Sequence, residues 1–257
     1  SAAGPSSVPA WTIESVLADA AFGISVASAV DVNGDGFSDM IIGASYFDNG
    51  EMNEGRAFVF HGSPSGLPDT PAWTAEANLE FAQFGTCVAS AGDVDRDGYA
   101  DVIVGAQGFS NGEHDEGRAY VYQGSPSGLS SVPAWTTEGN QEFAHHGTSV
   151  ATAGDVNGDG FSDVIVGAPG TTNGEVGEGR AYVYLGSPSG VSMVPVRMIE
   201  SDQAGAQLGR SVATAGDVDG DGFSDVIVGA YLYDNSQSDE GRAYLYRGSA
   251  SGLSGGP

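Results

Sequence analysis

The chain has 257 residues, 40% of them hydrophobic, with 34 acidic side chains against 8 basic ones and a formal net charge of −26. All eight basic residues are arginine, so nucleic acid and anionic membrane surfaces, which are held by clustered Lys and Arg, are poor partners. One cysteine, Cys87, excludes a disulfide framework, no run approaches the ~20 apolar residues of a membrane helix, and 41 glycines favour short strands and turns.

The opening Ser1-Ala-Ala-Gly-Pro5 reads as a processed or cloned start, and residues 1–8 as an extension. From residue 9 onward the chain repeats itself. The units run approximately 9–70, 71–132, 133–194 and 195–253, with aspartates at 31, 93, 155 and 217 marking a period of 62 residues without insertion or deletion. Each unit carries four strand signals. In the second, Pro71-Ala-Trp73-Thr-Ala-Glu76 is a short aromatic strand. Cys87-Val-Ala-Ser-Ala91 alternates small and apolar residues, and Asp101-Val-Ile-Val-Gly-Ala106 is an apolar run suited to a strand buried on both faces. Glu116-Gly-Arg-Ala-Tyr-Val-Tyr122 is the fourth strand, closed by the turn cluster Gly124-Ser-Pro-Ser-Gly-Leu129. Helical periodicity is absent. Four strands per ~60 residues in near-identical copies predict the blades of an all-β propeller.

Between the alternating strand and the apolar run lies Asp31-Val-Asn-Gly-Asp-Gly-Phe-Ser-Asp39, which returns at 93–101, 155–163 and 217–225. Oxygen-bearing side chains fall at positions 1, 3, 5 and 9, with glycine at position 6. That is a cage for a hard cation such as Ca²⁺, which takes roughly six to eight oxygens at about 2.3–2.6 Å. The side-chain ligands expected are Asp31, Asn33, Asp35 and Asp39; Asp93, Asp95, Asp97 and Asp101; Asp155, Asn157, Asp159 and Asp163; and Asp217, Asp219, Asp221 and Asp225. Four bound Ca²⁺ would bring −26 to −18. An EF-hand is excluded, because position 12 is Ile42, Val104, Val166 or Val228 instead of a bidentate Glu, and the flanks read as strands. The loops beginning at Asp93 and Asp217 carry four carboxylates and are expected to bind more tightly than the three-carboxylate loops at Asp31 and Asp155.

These residues resemble the FG-GAP repeat family, which builds the β-propeller of integrin α subunits. Phe22-Gly23 and Phe84-Gly85 match the FG, where later units have His146-Gly147 and Leu208-Gly209. Gly167-Ala-Pro169 matches the GAP, and Gly43-Ala-Ser45, Gly105-Ala-Gln107 and Gly229-Ala-Tyr231 match two letters of it. The resemblance covers roughly residues 9–253. It implies that the acidic loop joins the innermost strand A to strand B and binds Ca²⁺, with position 7 (Phe37, Tyr99, Phe161, Phe223) adding a backbone carbonyl, and that the metal is structural, with four sites per chain.

In this scheme residues 9–14 are a D strand at the start of the chain, able to complete the last blade. The ring so closed is either a four-bladed monomer or an eight-bladed head-to-tail homodimer, the latter nearer the wide rings of the resembled family; a fragment of a longer array is the third option. The A–B loops and C–D turns share one nearly uniform end. The B–C and D–A loops share the other, which varies between units and offers Tyr46, Phe47, Phe109, Tyr231 and Tyr233 as anchors for a protein or glycan ligand. The Arg of each Glu-Gly-Arg is expected to pair with a carboxylate between blades.

Cys87, aligned with Ser25, Ser149 and Ser211, is expected as a small buried residue, and the four non-repeating histidines as surface residues. No catalytic constellation or nucleophile motif is present, so no enzymatic activity is expected. The function expected is a calcium-stabilised extracellular or cell-surface scaffold for protein recognition or adhesion. The alternatives are a lectin-like propeller and a non-catalytic accessory propeller of a larger surface protein or hydrolase.

Overall fold

The computed structural model describes residues 7–254 and contains fifteen strands and, among the described residues, no helix. They form four antiparallel sheets. The first holds β1 (Phe22–Val30), β2 (Asp39–Ala44), β3 (Arg56–Phe60) and β4 (Trp73–Glu76), paired in chain order. The second holds β5 (Phe84–Gly92), β6 (Asp101–Ala106), β7 (Arg118–Tyr122) and β8 (Trp135–Glu138). The third holds β9 (Ser149–Gly154), β10 (Asp163–Ala168), β11 (Arg180–Tyr184) and β12 (Arg197–Glu200). The fourth holds only β13 (Leu208–Gly216), β14 (Asp225–Ala230) and β15 (Arg242–Tyr246). These are the propeller blades that the repeat predicts. The A strand reaches further than the alternating run suggests, to the FG position, because its first residues pair with the end of the B strand across a bulge.

The blades stack face to face, and this explains why the B strand is apolar on both sides. β6 is buried along its whole length, as is β10. The FG and GAP glycines meet in that stack. A Cβ on Gly43, Gly105 or Gly167 would overlap the carbonyl oxygen of Gly85, Gly147 or Gly209 in the next blade. A parallel bridge beside each contact joins Gly55 to Phe84, Gly117 to His146 and Gly179 to Leu208. The D-strand tryptophans also reach forward. Trp73 packs edge-on against Tyr122 and donates to the Ser130 carbonyl at 2.9 Å; Trp135 does the same with Tyr184 and Ser192 at 3.0 Å. Such aromatic pairs contribute about 0.5–1.5 kcal/mol beyond area burial.

The ends depart from the expected closure. β1 packs on β5, β5 on β9 and β9 on β13, but no packing of that extent joins β13 back to β1. Among the described residues β15 pairs only with β14, and residues 9–14 form no strand. Strand D of the first blade is β4, which comes from the second repeat unit; the tryptophan stretch 9–14 lies instead in front of blade 1, where Trp11 packs on Phe60 and donates to the Pro68 carbonyl at 3.2 Å. The described residues by themselves are therefore an open run of four blades. Of the expected N-terminal extension, residues 1–6 lie outside the described residues.

Candidate metal centres

Each acidic loop is built by the same backbone logic. Gly34 and Gly36 adopt φ of 73° and 87°, the left-handed region that glycine enters without Cβ strain, and these turns fold the loop around the first aspartate. Asp31 Oδ1 then accepts from the amides of Gly34 (2.7 Å) and Asp35 (3.1 Å), and Oδ2 from Gly36 (2.8 Å). Asp155 and Asp217 repeat this pattern. In the second loop Arg96 replaces the first glycine at φ 59°, and Asp93 keeps the bonds from Asp97 and Gly98.

Position 9 is the brace. Asp39, Asp101, Asp163 and Asp225 are buried. One oxygen of each accepts the amide of Val32, Val94, Val156 or Val218 at 2.8–3.0 Å. The other accepts the first amide of the C–D turn, from Gly62, Gly124, Gly186 or Gly248, at 2.8–2.9 Å. The A–B loop and C–D turn thus share one end of the blade, as loop parity predicts. Burial pushes Asp101 and Asp163 up to about 7, with the two amides pulling back and the neighbouring loop aspartates adding repulsion.

Ligating oxygens converge in two loops. Asp93, Asp95 and Asp101 place carboxylate oxygens within 4.8 Å of one another, and so do Asp217, Asp219 and Asp225. Positions 1, 3 and 9 are the ones brought together. Position 5 stands outside these groups: the carboxylates of Asp35, Asp97, Asp159 and Asp221 each accept the amide two residues on, at 2.9–3.0 Å. The amide of Phe37, Tyr99, Phe161 or Phe223 makes that bond, so position 7 is fixed by its N–H. In the first and third loops Asn33 and Asn157 point their side-chain NH₂ at Asp35 and Asp159, at 3.0 and 2.8 Å.

The donor set of the second loop fits a hard cation. Asp95 Oδ1 is buried without a partner, and burial together with the charges of Asp97 and Asp93 raises its pKa. Three crowded carboxylates with one oxygen orphaned is the arrangement that Ca²⁺ satisfies and a proton satisfies only partly. Asp93, Asp95 and Asp101 would hold the ion there; Asp217, Asp219 and Asp225 would do so in the fourth loop.

Sequence reasoning did not anticipate the residue facing position 3. Gln123 Nε2 donates to Asp95 Oδ2 at 2.5 Å, and Arg247 Nη1 lies 3.0 Å from Asp219 Oδ2. The guanidinium offsets part of the fourth loop's charge, so the two four-carboxylate loops are not equivalent. The signal lay in the column His61, Gln123, Leu185 and Arg247, 28 residues after position 3, where the residue type changes from unit to unit.

At the opposite end several expectations change. Arg56, Arg118 and Arg180 pair with Glu76, Glu138 and Glu200 of the adjacent strand in their own blade, not between blades, because position 1 of strand C faces the last residue of strand D. Phe47 and Phe109 are buried beneath Arg56 and Arg118, whose guanidinium carbons lie 4.5 and 3.8 Å from the ring centroids, and are not free anchors. Tyr46 and Tyr231 are exposed. The histidines are not all surface residues. His146 is fully buried at the FG position, edge-on to Tyr182, with neither ring nitrogen hydrogen-bonded. Cys87 is half-buried between blades, where its sulfur receives the Val150 amide as Ser25 Oγ receives that of Val88.

Four face-packed blades with acidic A–B loops define a β-propeller blade array. The family model described as the FG-GAP repeat matches residues 22–60, 84–122, 146–184 and 208–246. These matches take up more than half of the 257 residues, and the chain belongs to the FG-GAP repeat family. Integrin alpha-5 of Xenopus laevis is 30% identical over 246 residues, 92% of this chain and 22% of that protein. Integrin alpha-V of Gallus gallus is 32% identical over 238 residues, covering 89% and 21%. Integrin alpha-PS2 of Drosophila melanogaster is 38% identical over 167 residues, covering 59% and 12%. The chain thus spans about a fifth or less of the curated relatives it matches. Among solved structures, a thermostable family-43 glycoside hydrolase aligns with a TM-score of 0.45 at 15% identity, covering 90% of this chain and 73% of that one.

Proposed function

We propose that this chain is a calcium-braced, integrin-like propeller scaffold that presents its variable loops for extracellular protein recognition, with Ca²⁺ in a structural role and no reaction of its own. The observation that carries the metal is the Asp93 loop, with three converging carboxylates and a buried, unpartnered Asp95 Oδ1. A cation there fixes the A–B loop, which position 9 already ties to the C–D turn. Through Asp93 and Val94, whose carbonyls accept amides of Ser162 and Ser187 in the next blade, it also steadies the blade stack.

Each site filled at 100 times its Kd adds about 2.7 kcal/mol to stability. Removing Ca²⁺ with excess chelator should lower the melting temperature by well over 5 °C, and re-addition should restore it; a melt indifferent to chelation refutes the metal. On this reading ligands dock at the B–C/D–A end. A polar cleft there is lined by Gln83, Gln107, His145, Thr148 and Arg210, at columns that change between units: Gln107 aligns with Ser45, Pro169 and Tyr231, and Arg210 with Ile24, Thr86 and Thr148. Its amide-rich lining also suits sugar hydroxyls, the second reading. Binding of a protein or glycan library that survives changes in the cleft would remove the site from consideration.

A further inference from the structure

We propose that the two ends of the blade run are the two halves of one interface, and that a second copy of this chain docks head to tail there, its residues 9–14 adding a fourth strand to the last blade, which has three among the described residues. The inner three blade contacts give the template, and each of their features is left half-made at the ends.

The first half lies on blade 4. Ile103 and Ile165 are 0% exposed beneath the following blade, whereas Ile227 is 39% exposed; Val121 is 1% exposed and its equivalent Leu245 38%. The carbonyls of Asp31, Asp93 and Asp155 accept an amide from the next blade, as do those of Val32, Val94 and Val156. Those of Asp217 and Val218 have no such bond among the described residues, and Val218 is exposed. The second half lies on blade 1. Val88, Val150 and Val212 are buried against a preceding blade, whereas Val26 is 61% exposed. The donors equivalent to Ala100 and Ser125 are Ser38 and Ser63, whose amides make no corresponding bond. The glycine contact is split in the same way. A Cβ on Gly229 meets nothing closer than 3.7 Å and one on Gly23 nothing within 4 Å, against the overlap at the three inner pairs.

The missing strand fits by register. Inside the chain Val59 faces Trp73 and Arg56 faces Glu76. Three periods after Val59 and Arg56, Leu245 and Arg242 of one copy would face Trp11 and Glu14 of the other, which lie one period before Trp73 and Glu76. Trp11 already holds the position that Trp73 and Trp135 hold relative to the blade in front of them, so residues 9–14 are presented in place. Arg242 has no carboxylate partner among the described residues, unlike Arg56, Arg118 and Arg180, and Glu14 is exposed and likewise without an ion pair. Because the contact joins unlike surfaces, two copies that make it twice close into a ring of eight blades.

The test is the mass of the 257-residue chain in solution, by sedimentation and light scattering in saturating calcium. Twice the 26.0 kDa of one chain is expected. Gly229→Ala, which has room in the single chain but puts a Cβ where the partner's backbone must lie, should give a folded species of 26.0 kDa. Arg242→Glu should weaken association about tenfold or more, and Glu14→Arg added to it should restore most of the loss. A wild-type chain that stays at 26.0 kDa at high micromolar concentration, or a Gly229→Ala chain that still pairs, overturns the interface. A ladder of larger masses overturns the closed ring. Chelator melts of Gly229→Ala report on the metal separately, so the two proposals fail independently.

Discussion

β6 and β14 have the same sequence, Asp-Val-Ile-Val-Gly-Ala, and the same pairing partners on either side, yet one is buried throughout and the other is open on one face. Ile103 and Gly105 lie under blade 3; Ile227 is 39% exposed, and no blade covers it or Gly229 among the described residues. The hexapeptide fixes a strand and its two apolar faces, but a blade buries only what its neighbour covers. The repeat is thus a set of half-interfaces, each worth its full stabilisation only when the next unit is present.

The sharpest way to break the comparison is at the glycines. Gly105→Ala should cost several kcal/mol or prevent folding, since the added methyl collides with the Gly147 backbone, while Gly229→Ala should leave the melt of the isolated chain nearly unchanged. Equal effects on urea unfolding would contradict the packing described. Next comes the isoleucine pair. Ile103→Ala should destabilise by about 2–5 kcal/mol and Ile227→Ala by less, because the surface of Ile227 is already part in water. If the second copy docks as proposed, the Ile227→Ala cost should grow with protein concentration.

His146 offers a third comparison, with Phe84 and Leu208 at the same place in other blades. Burial pushes its imidazole down to about 3, below the ordinary ~6.5 of the unfolded chain. Between those values the unfolded chain binds the extra proton, so the stability tied to neutral His146 is present above about 6.5 and lost as pH falls, by up to about 1.4 kcal/mol per unit. His146→Leu should gain about 1–3 kcal/mol at pH 7 by removing two unsatisfied nitrogens, and its advantage should widen towards pH 4. Parallel stability–pH curves for the two proteins would show that the ring is not held neutral. The smallest effect expected is among the acidic loops. Calcium should fill the Asp93 loop before the Asp31 loop, and Arg247→Gln should tighten the fourth loop by a few-fold; a titration in which all four fill with one affinity would deny any influence of position 3 and its neighbour.

Much of this was legible in the residues because repetition removes ambiguity. Four copies in register fixed the strand order, and the D-x-[DN]-x-D-G-x-x-D spacing put oxygens at positions 1, 3, 5 and 9 of a tight loop. The sequence misplaced what depends on neighbours in space. Which carboxylates of a loop draw together was not legible either: Asp97 and Asp221 accept a local amide and stand outside the groups formed by positions 1, 3 and 9 of their loops. Three of the Glu-Gly-Arg arginines, Arg56, Arg118 and Arg180, find their carboxylates one strand over, and the first two cover Phe47 and Phe109, which loop position alone made appear free. Gln123 and Arg247 reach the acidic loop from a turn 28 residues away.

By itself, then, the sequence determined the period, the blade as the unit of structure and the acidic loop in each, since strand alternation, turn glycines and clustered aspartates act over a few residues. The tertiary structure alone decided which glycine meets which backbone, which aspartate oxygens converge, and that residues 9–14 lie ahead of blade 1 rather than against β15. The glycine contacts join residues 42 positions apart and the Trp11 hydrogen bond spans 57, ranges set by how the blades stack, while the aspartates are close in sequence and their convergence depends on how the folded loop turns each side chain.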